Sequence, residues 1–376
     1  MPYAAGRTCH DADSHLMELS DWLAKHADPG VREKLRPLHL GGAGALAEKA
    51  VSEAETRRGN PAAAAALEAD VMGAKGWSAL GAFDPRERSR ALDLLGFDKQ
   101  LVFSTFAATQ FFGDDLELLY GGTRAHNRAM AAFCADDPRL IGVGMVPWAD
   151  PARTLTEAEE AVRLGCGAIL VPSHPGRGRS PTHPDHEGLW AFLQEAGIPF
   201  MTHIGGGGRA LPRAFHDNGR PVTDFLGGGE NIRAKDYMVL HNPPEAFLSC
   251  LVLDGVLEKF PRLRGGCIEQ GALWVVPWLK RLDIAQATFQ KTEPALRLPL
   301  RASDYVRRQL KFTPFPTEPV GWLIEQAGAE LFLFSSDYPH PEGGRDPLAR
   351  FEASLAGASA AAKERFYRQN FAEMMG

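Results

Sequence analysis

Short apolar segments alternate along this chain with longer stretches in which apolar residues recur at helical spacing. Segments of the first kind are typical of buried strands, and the eight that we predict cover residues 8–13, 100–105, 140–147, 167–173, 199–204, 263–269, 309–313 and 331–336. Strands that alternate with helices usually pair in parallel, because each helix returns the chain to the same end of the sheet. Eight of them predict an α/β fold, the closed (β/α)8 or TIM barrel.

The helix boundaries agree with this alternation. Helices are predicted over 151–164, 186–196 and 319–327. Asp150 and the proline after it are typical of a helix start. The other two helices stop before a glycine, which is the residue favoured just after a helix end.

Two long stretches interrupt the repeat. Residues 16–99 separate the first two predicted strands, and we predict a helical insertion there that covers the barrel mouth; a mobile surface excursion is an equally favoured alternative. Residues 205–242 contain two glycine runs, and neither is followed by the Lys-Ser or Lys-Thr of a phosphate-binding loop. A long active-site loop is predicted instead. With no separate linker, residues 1–376 are predicted to form one barrel domain.

The composition excludes several classes of function. The 376 residues carry a net charge of -6 without an extended Lys/Arg block, so neither nucleic acid nor an acidic membrane surface is an expected partner. The sequence has no apolar run of the roughly 18 residues that a spanning helix needs, and its start does not resemble a secretory signal. Five cysteines without a Cys-x-x-Cys pair argue against disulfides and a thiolate metal site. We predict a cytoplasmic protein that acts on a small molecule.

Side chains that bind metals stand at the carboxyl ends of the predicted strands, where a barrel of this kind assembles its active site. Asp13 and His15 end the first strand, and their side chains share one face of it if the strand continues that far. Asp11 would lie on the same face, so it is an alternative to Asp13 as a metal ligand. His203 ends the fifth strand and Asp337 follows the eighth. Two imidazoles and two carboxylates predict one divalent ion, Zn²⁺ first, with Mn²⁺, Co²⁺ or Fe²⁺ as alternatives.

Several segments resemble the amidohydrolase-related family, which includes aminocarboxymuconate-semialdehyde decarboxylase and related hydrolases. They are residues 11–18 (DADSHLME), 255–263 (GVLEKFPRL), 274–283 (WVVPWLKRLD) and 334–343 (FSSDYPHPEG), together with the strand end at His203. The resemblance implies a distorted barrel and a homo-oligomer, a dimer in the first instance. It also implies one divalent metal bound by the first-strand pair, the fifth-strand histidine and the eighth-strand aspartate, which are Asp13, His15, His203 and Asp337.

The chain departs from the decarboxylases of that family after the sixth predicted strand. They carry Gly-His-Met-Gly-Glu there, whereas this chain reads Ile268-Glu-Gln-Gly-Ala272. Glu269 takes the place of the histidine. A glutamate protonates substrate near neutral pH only if burial raises its pKa. The departure tilts the prediction from decarboxylation toward hydrolysis.

The predicted enzyme is therefore a hydrolase in which a metal-activated water attacks a small substrate, a carboxylate or another carbonyl compound, at a C–N or C–C bond. Asp337 would accept the water proton and later donate it, with Glu269 and His340 orienting substrate or relaying protons. The alternative is a non-oxidative decarboxylase of a small aromatic or enoic carboxylate. A barrel that binds without catalysing is a third hypothesis, against which the complete set of predicted ligands argues.

Other polar residues near the rim are weaker candidates. His174 follows the fourth strand, and Arg209 and Arg213 follow the first glycine run, where they could bind a substrate carboxylate. A solvated loop position is the alternative for the two arginines, and a hydrogen bond that fixes the loop is the alternative for His340. His241 is expected to precede a helix start.

Overall fold

The computed structural model describes residues 1–38, 44–107, 113–176, 178–207, 211–221 and 232–376. Within these ranges the strands form one curled parallel sheet in the order β1-β3-β4-β5-β6-β7-β8, with β2 also paired to β3. The strands are β1 Cys9–Asp11, β2 His15–Leu16, β3 Phe97–Ser104, β4 Leu140–Met145, β5 Ala168–Leu170, β6 Phe200–His203, β7 Gly265–Ile268 and β8 Leu310–Phe312.

Helices connect these strands. They are α1 Trp22–His26, α2 Pro29–Arg32, α3 Gly44–Gly59, α4 Pro61–Ala69, α5 Pro85–Leu95, α6 Leu116–Cys134, α7 Pro151–Arg163, α8 Glu187–Ala196, α9 Ala234–Tyr237, α10 Asn242–Leu253, α11 Val256–Lys259, α12 Val275–Phe289, α13 Ala302–Gln309, α14 Val320–Ala327, α15 Pro347–Ser354, α16 Ala360–Glu364 and α17 Asn370–Met375. The predicted helices are confirmed as α7, α8 and α14, within one residue at each end. Asp150 caps α7 by accepting the N–H groups of Ala152 and Arg153.

The two edge strands, β1 and β8, are joined by residues 331–338. Leu333 donates its backbone N–H to the carbonyl of Phe312 in β8 at 2.9 Å. Ala12, directly after β1, donates to the carbonyl of Phe334 at 3.0 Å. The segment lies between both edges, and it closes the curled sheet into the predicted (β/α)8 barrel.

The prediction of a regular strand over 331–336 is wrong, because this range makes one isolated bridge, from Phe332 to Phe312, instead of a ladder. The N–H of Phe334 donates to the carbonyl of Phe366 at 2.9 Å, outside the sheet. The N–H of Ser336 donates to a carboxylate oxygen of Asp11 at 2.8 Å. The backbone N–H groups of Phe334 and Ser336, which a regular ladder would use between strands, thus donate to other partners.

The first predicted strand, 8–13, is also interrupted. β1 ends at Asp11 and strand geometry resumes in β2 at His15, so Asp13 lies in the break. The inserted region is shorter than predicted, because β3 begins at Phe97 and not at residue 100. Gly96, with a φ of 73°, ends α5 directly before that strand.

The insertion packs against the end of the closing segment. The N–H of Gly76 donates to the carbonyl of Pro339 at 2.9 Å, and the hydroxyl of Tyr338 donates to the carbonyl of Leu80 at 2.7 Å. These bonds place residues 76–80 beside the barrel mouth.

An apolar cluster fills the barrel interior. Its buried members come from five strands, from the end of β1, from the closing segment and from the C-terminal helix α17: Ala12, Leu101, Phe103, Val143, Ala168, Met201, Ile268, Leu333, Phe371 and Met374. Interior layers of this kind make such a barrel a packed core and leave the chemistry to its rim. In the described part of the chain, no helix is both long and apolar enough to cross a membrane.

Candidate metal centre

The four predicted ligands and Glu269, which we predict as a catalytic residue, lie at the carboxyl ends of the strands. His15 is the first residue of β2, His203 is the last of β6, and Glu269 directly follows β7. Asp13 lies between β1 and β2, and Asp337 lies in the closing segment. All five side chains are buried, with Asp337 the most accessible at 7%.

Asp13, His15, His203 and Glu269 form the first donor group, in which one donor atom from each residue lies within 4.8 Å of the others. The His203 Nε2 lies 3.4 Å from the Asp13 Oδ1 and 3.4 Å from the Glu269 Oε2. The His15 Nε2 lies 3.4 Å from the same Asp13 oxygen and 3.9 Å from the same Glu269 oxygen. Two imidazoles and two carboxylates thus converge on one point.

A second donor group shares two of these residues and contains His15, Glu269, Asp337 and His340. The Asp337 Oδ1 lies 3.7 Å from the His15 Nε2 and 3.1 Å from the His340 Nδ1. The rings of His15 and His340 stack with centroids 3.9 Å apart and an interplanar angle of 19°. Glu269, which we predict from sequence as a proton carrier, is therefore within reach of a metal as well.

The electrostatics of the group fit a divalent cation. Burial lowers the pKa of His15 to about 3, which keeps its imidazole neutral and able to ligate. Burial alone would raise the pKa of Asp13, but the imidazoles of His15 and His203 bring it well below its usual value. Among the described residues, neither ring nitrogen of His15 makes a well-aligned hydrogen bond, although its Nε2 lies 3.4 Å from the Asp13 Oδ1. A metal ion would satisfy such buried atoms.

Asp337 and Glu269 share an uncommon backbone conformation. Their φ angles are 53° and 52°, in the left-handed region that residues other than glycine seldom adopt. Such strain is concentrated at functional sites, where the surrounding structure holds it. Burial raises the pKa of Asp337 to about 6, with His340 acting in the opposite direction.

Asp11, the competitor of Asp13, lies outside both donor groups. Its carboxylate accepts hydrogen bonds from the Gln100 Nε2 at 2.7 Å and from the Ser336 hydroxyl at 2.6 Å. Gln100 in turn accepts from the Nε of Arg88, a fully buried residue of α5 that also donates to the carbonyl of His15 at 2.9 Å. This network connects the insertion to the backbone of His15.

Sequence reasoning missed the residues that hold the second donor group in place. The Thr105 hydroxyl lies 2.9 Å from the His340 Nε2, and the Thr313 hydroxyl accepts the N–H of Glu269 at 2.8 Å. The buried Glu18 carboxylate accepts the N–H groups of Thr105 and Ala107 at 3.0 and 2.9 Å. The signals in the sequence were the positions of Thr105 and Thr313, each at the end of a predicted strand.

The weaker candidates have other surroundings. The His174 Nδ1 lies 3.2 Å from the carbonyl of Pro175, and this histidine belongs to neither donor group. Arg209 falls outside the described residues. His241 directly precedes α10, as predicted, and its ring stacks on Trp274 with centroids 5.9 Å apart.

A cavity of about 30 Å³ opens beside the donor groups. Its lining includes the carboxylates of Asp13, Glu269, Asp337 and Glu342, together with Phe315. A space of this size holds about one or two water-sized groups. The arrangement can therefore hold a metal ion and one small ligand next to buried acid–base groups.

Solved structures of low sequence identity share the whole fold. An amidohydrolase from Mycobacterium avium subsp. paratuberculosis K-10 is 22% identical, with a TM-score of 0.75 over 99% of this chain and 100% of that one. The 5-carboxyvanillate decarboxylase from Sphingomonas paucimobilis is 20% identical, with a TM-score of 0.63 over 98% of both chains. A dihydroxybenzoic acid decarboxylase from Polaromonas sp. JS666, with bound manganese and the inhibitor 2-nitroresorcinol, is 16% identical, with a TM-score of 0.62 over 98% of this chain and 97% of that one.

No curated protein matches this sequence. The family model described as amidohydrolase matches residues 11–376, a range that contains every residue of the two donor groups. On this match, the chain belongs to the amidohydrolase family.

Proposed function

We propose that the protein is a metal-dependent carboxy-lyase that removes CO2, without oxidation, from a small aromatic or enoic carboxylate. The observation that carries the proposal is the Asp337–His340 pair, 3.1 Å apart at the edge of the donor group. The likeness of the whole fold to 5-carboxyvanillate and dihydroxybenzoic acid decarboxylases supports the reaction and the substrate class. Hydrolysis, which the sequence favours, is therefore the second candidate.

For the metal, we propose Asp13, His15, His203 and Asp337 as ligands, with Glu269 as the competing fourth ligand. The neutral imidazoles and the carboxylate oxygens suit Mn²⁺ and Zn²⁺ alike. Manganese is bound in the dihydroxybenzoic acid decarboxylase. A bound divalent ion would supply positive charge that attracts and orients the substrate carboxylate.

Decarboxylation requires one proton at the carbon that loses CO2. The C–C bond breaks, its electron pair stays on that carbon, and the carbon takes up the proton. We propose that the Asp337–His340 pair holds this proton and that an Asp337 oxygen delivers it. His340 can exchange a proton with Asp337 at Nδ1 while its Nε2 stays 2.9 Å from the Thr105 hydroxyl, which fixes the ring.

The second candidate, hydrolysis, is favoured by Glu269. This carboxylate stands where the decarboxylases of the family carry a histidine, and its Oε2 lies 3.4 Å from the His203 Nε2. In a hydrolase, Asp337 would take the proton of the attacking water and return it to the leaving group. The metal ligands would be unchanged.

One experiment separates the two reactions. Manganese-loaded protein is incubated with hydroxylated benzoates, including 5-carboxyvanillate, and in parallel with amides, in D2O and in ¹⁸O-labelled water. A decarboxylase releases CO2 and leaves one deuterium on the carbon that lost it, with no ¹⁸O in the organic product. A hydrolase places ¹⁸O in the organic product. The D337N variant should lower turnover at least about a hundredfold, the usual range for loss of an acid–base group; a fully active D337N protein would refute its role.

The expectations of a cytoplasmic location and of a homodimer, and the exclusion of nucleic-acid and membrane partners, stay predictions from the sequence.

A further inference from the structure

Lys75 lies in the insertion, directly before the 3-10 turn Gly76–Ser78. The N–H of Gly76 donates to the carbonyl of Pro339 at 2.9 Å. This bond fixes the backbone after Lys75 to the loop that carries Asp337 and His340. The lysine therefore stands beside the metal centre, although it is more than 60 residues after Asp13 in sequence.

The ammonium group of Lys75 has an unusual environment. Its Nζ is buried, and no oxygen in the described part of the chain accepts a hydrogen bond from it. Buried polar groups are almost always paired, because an unpaired one loses its hydration without compensation. Burial lowers the pKa of Lys75, while the carboxylates of Asp337 and Glu342 act in the opposite direction. The ammonium group is thus close enough to interact electrostatically with Asp337 and Glu342, but it donates a hydrogen bond to neither.

The charges at this rim are unfavourable for an anionic substrate. Asp13, Glu269, Asp337 and Glu342 all line the cavity beside the donor groups. Even with the proton held by the Asp337–His340 pair and one divalent ion bound, Asp13, Glu269 and Glu342 leave this rim net negative, so further fixed positive charge would strengthen the binding of an anionic substrate. Lys75 can supply that charge from the insertion side.

We propose that Lys75 binds a second anionic oxygen of the substrate, on a carboxylate or phenolate that is not the carboxylate released as CO2. This inference rests on the proposed decarboxylation. A second cation on the leaving carboxylate, in addition to the metal, would further stabilise a charge that disappears in the reaction, and so it would favour the bound substrate over the transition state. A cation that binds an anionic group retained in the product orients the substrate without favouring the bound substrate over the transition state. The substrate class is a small acid with two ionised groups.

Binding of two simple probes tests this site. The dissociation constants of isophthalate, with two carboxylates, and benzoate, with one, are measured by calorimetry on manganese-loaded protein. Wild type is expected to bind isophthalate about tenfold to a hundredfold more tightly, as a charge-assisted hydrogen bond provides. The K75M variant should bind both probes with the affinity of benzoate, and K75R should recover part of the preference. K49M is the matched control, because Lys49 is in the same insertion with its side chain 73% exposed.

A second measurement guards against a merely structural effect of the substitution. Without a probe, K75M should unfold at a higher temperature than wild type, because it removes a buried ammonium group that lacks a partner. An isophthalate preference retained in K75M would overturn the proposal, as would a wild type that binds the two probes equally or binds neither. The CO2 assay is independent of this result. If the preference for isophthalate over benzoate depends on Lys75 but no substrate releases CO2, the proposed decarboxylation is wrong and the anion site at Lys75 still stands.

Discussion

The carboxylate of Asp11 accepts two hydrogen bonds from Ser336, one from its backbone N–H at 2.8 Å and one from its hydroxyl at 2.6 Å. Asp11 ends β1 and Ser336 directly precedes Asp337, so one buried carboxylate joins the two ends of the barrel sheet next to the two donor groups. The same carboxylate accepts the N–H of Asp13 at 3.3 Å. Its hydrogen bonds therefore fix the segments that carry Asp13 and Asp337 relative to each other.

The D11N variant should weaken both the fold and the metal site. An amide carries one acceptor oxygen and places an NH2 group where Asp11 now accepts. We expect the free energy of unfolding to fall by about 1.5 to 3 kcal/mol, and metal affinity to fall about tenfold or more, as for other residues that orient ligands. Chemical denaturation and metal titration of wild type and variant measure the two effects. D136N, at an exposed site, is the control; a D11N protein with wild-type affinity would contradict the positioning role.

Metal content tests the donor group directly. Elemental analysis of wild type is expected to give about one equivalent of manganese or zinc per chain, and H203A should retain little of it, because His203 contributes one of the two imidazoles. Added metal should raise the unfolding temperature of wild type more than that of H203A. H183A, which changes a histidine outside both donor groups, should resemble wild type. A wild type that neither contains nor binds metal would remove the centre altogether.

The sequence predicted that these donor side chains lie close together, because parallel strands bring their carboxyl ends to one rim. That they bind a metal stays a prediction. The strand pattern and the residue types were enough to predict the positions of Asp13, His15 and His203. Their contacts were not predictable in this way. Arg88 reaches the carbonyl of His15 across 73 positions of sequence, and no local pattern encodes such a contact.

The irregular eighth segment shows the same limit. Residues 331–336 are apolar enough to be a strand, but their ladder is broken by partners that only the folded chain provides: the carboxylate of Asp11 and the carbonyl of Phe366. The positive φ angles of Glu269 and Asp337 could not be predicted from the sequence either, since neither residue type indicates a left-handed conformation as glycine does.

The strain at Glu269 can be measured by two substitutions at the same position. E269A and E269G both remove the carboxylate, but alanine keeps a Cβ at a φ of 52° and glycine does not. Relief of the strain should outweigh the greater flexibility of glycine in the unfolded chain, so E269G should be more stable than E269A by about 0.5 to 1 kcal/mol. Denaturant unfolding of the metal-free proteins measures the difference. The same exchange of alanine for glycine at the exposed helical Ala287, A287G, should instead lower the free energy of unfolding by about 1 kcal/mol. If glycine in place of alanine lowered the free energy of unfolding at both sites, strain at Glu269 would be excluded.

A buried histidine outside both donor groups should make the fold sensitive to acid. Burial lowers the pKa of His126 in α6 from 6.5 to about 4. Its ring nitrogens lie 3.0 Å from the Asn127 Oδ1 and 3.0 Å from the Ser104 hydroxyl. The unfolded chain takes up the proton below pH 6.5, and the folded chain does so only near pH 4. The stability that His126 contributes is therefore complete above pH 6.5 and is lost as the pH falls through this window.

The H126Q variant isolates that contribution, because glutamine can hydrogen bond but does not titrate. Both proteins are unfolded with urea in the presence of a chelator at pH 7 and at pH 4.5, so that metal loss and the other histidines affect them equally. Wild type should lose about 2 kcal/mol more than H126Q between the two pH values, which is the linkage expected for a shift of this direction and size. A stability difference between the two proteins that stays constant with pH would show that His126 is not held neutral by burial, and that acid sensitivity of the fold has its origin in other groups.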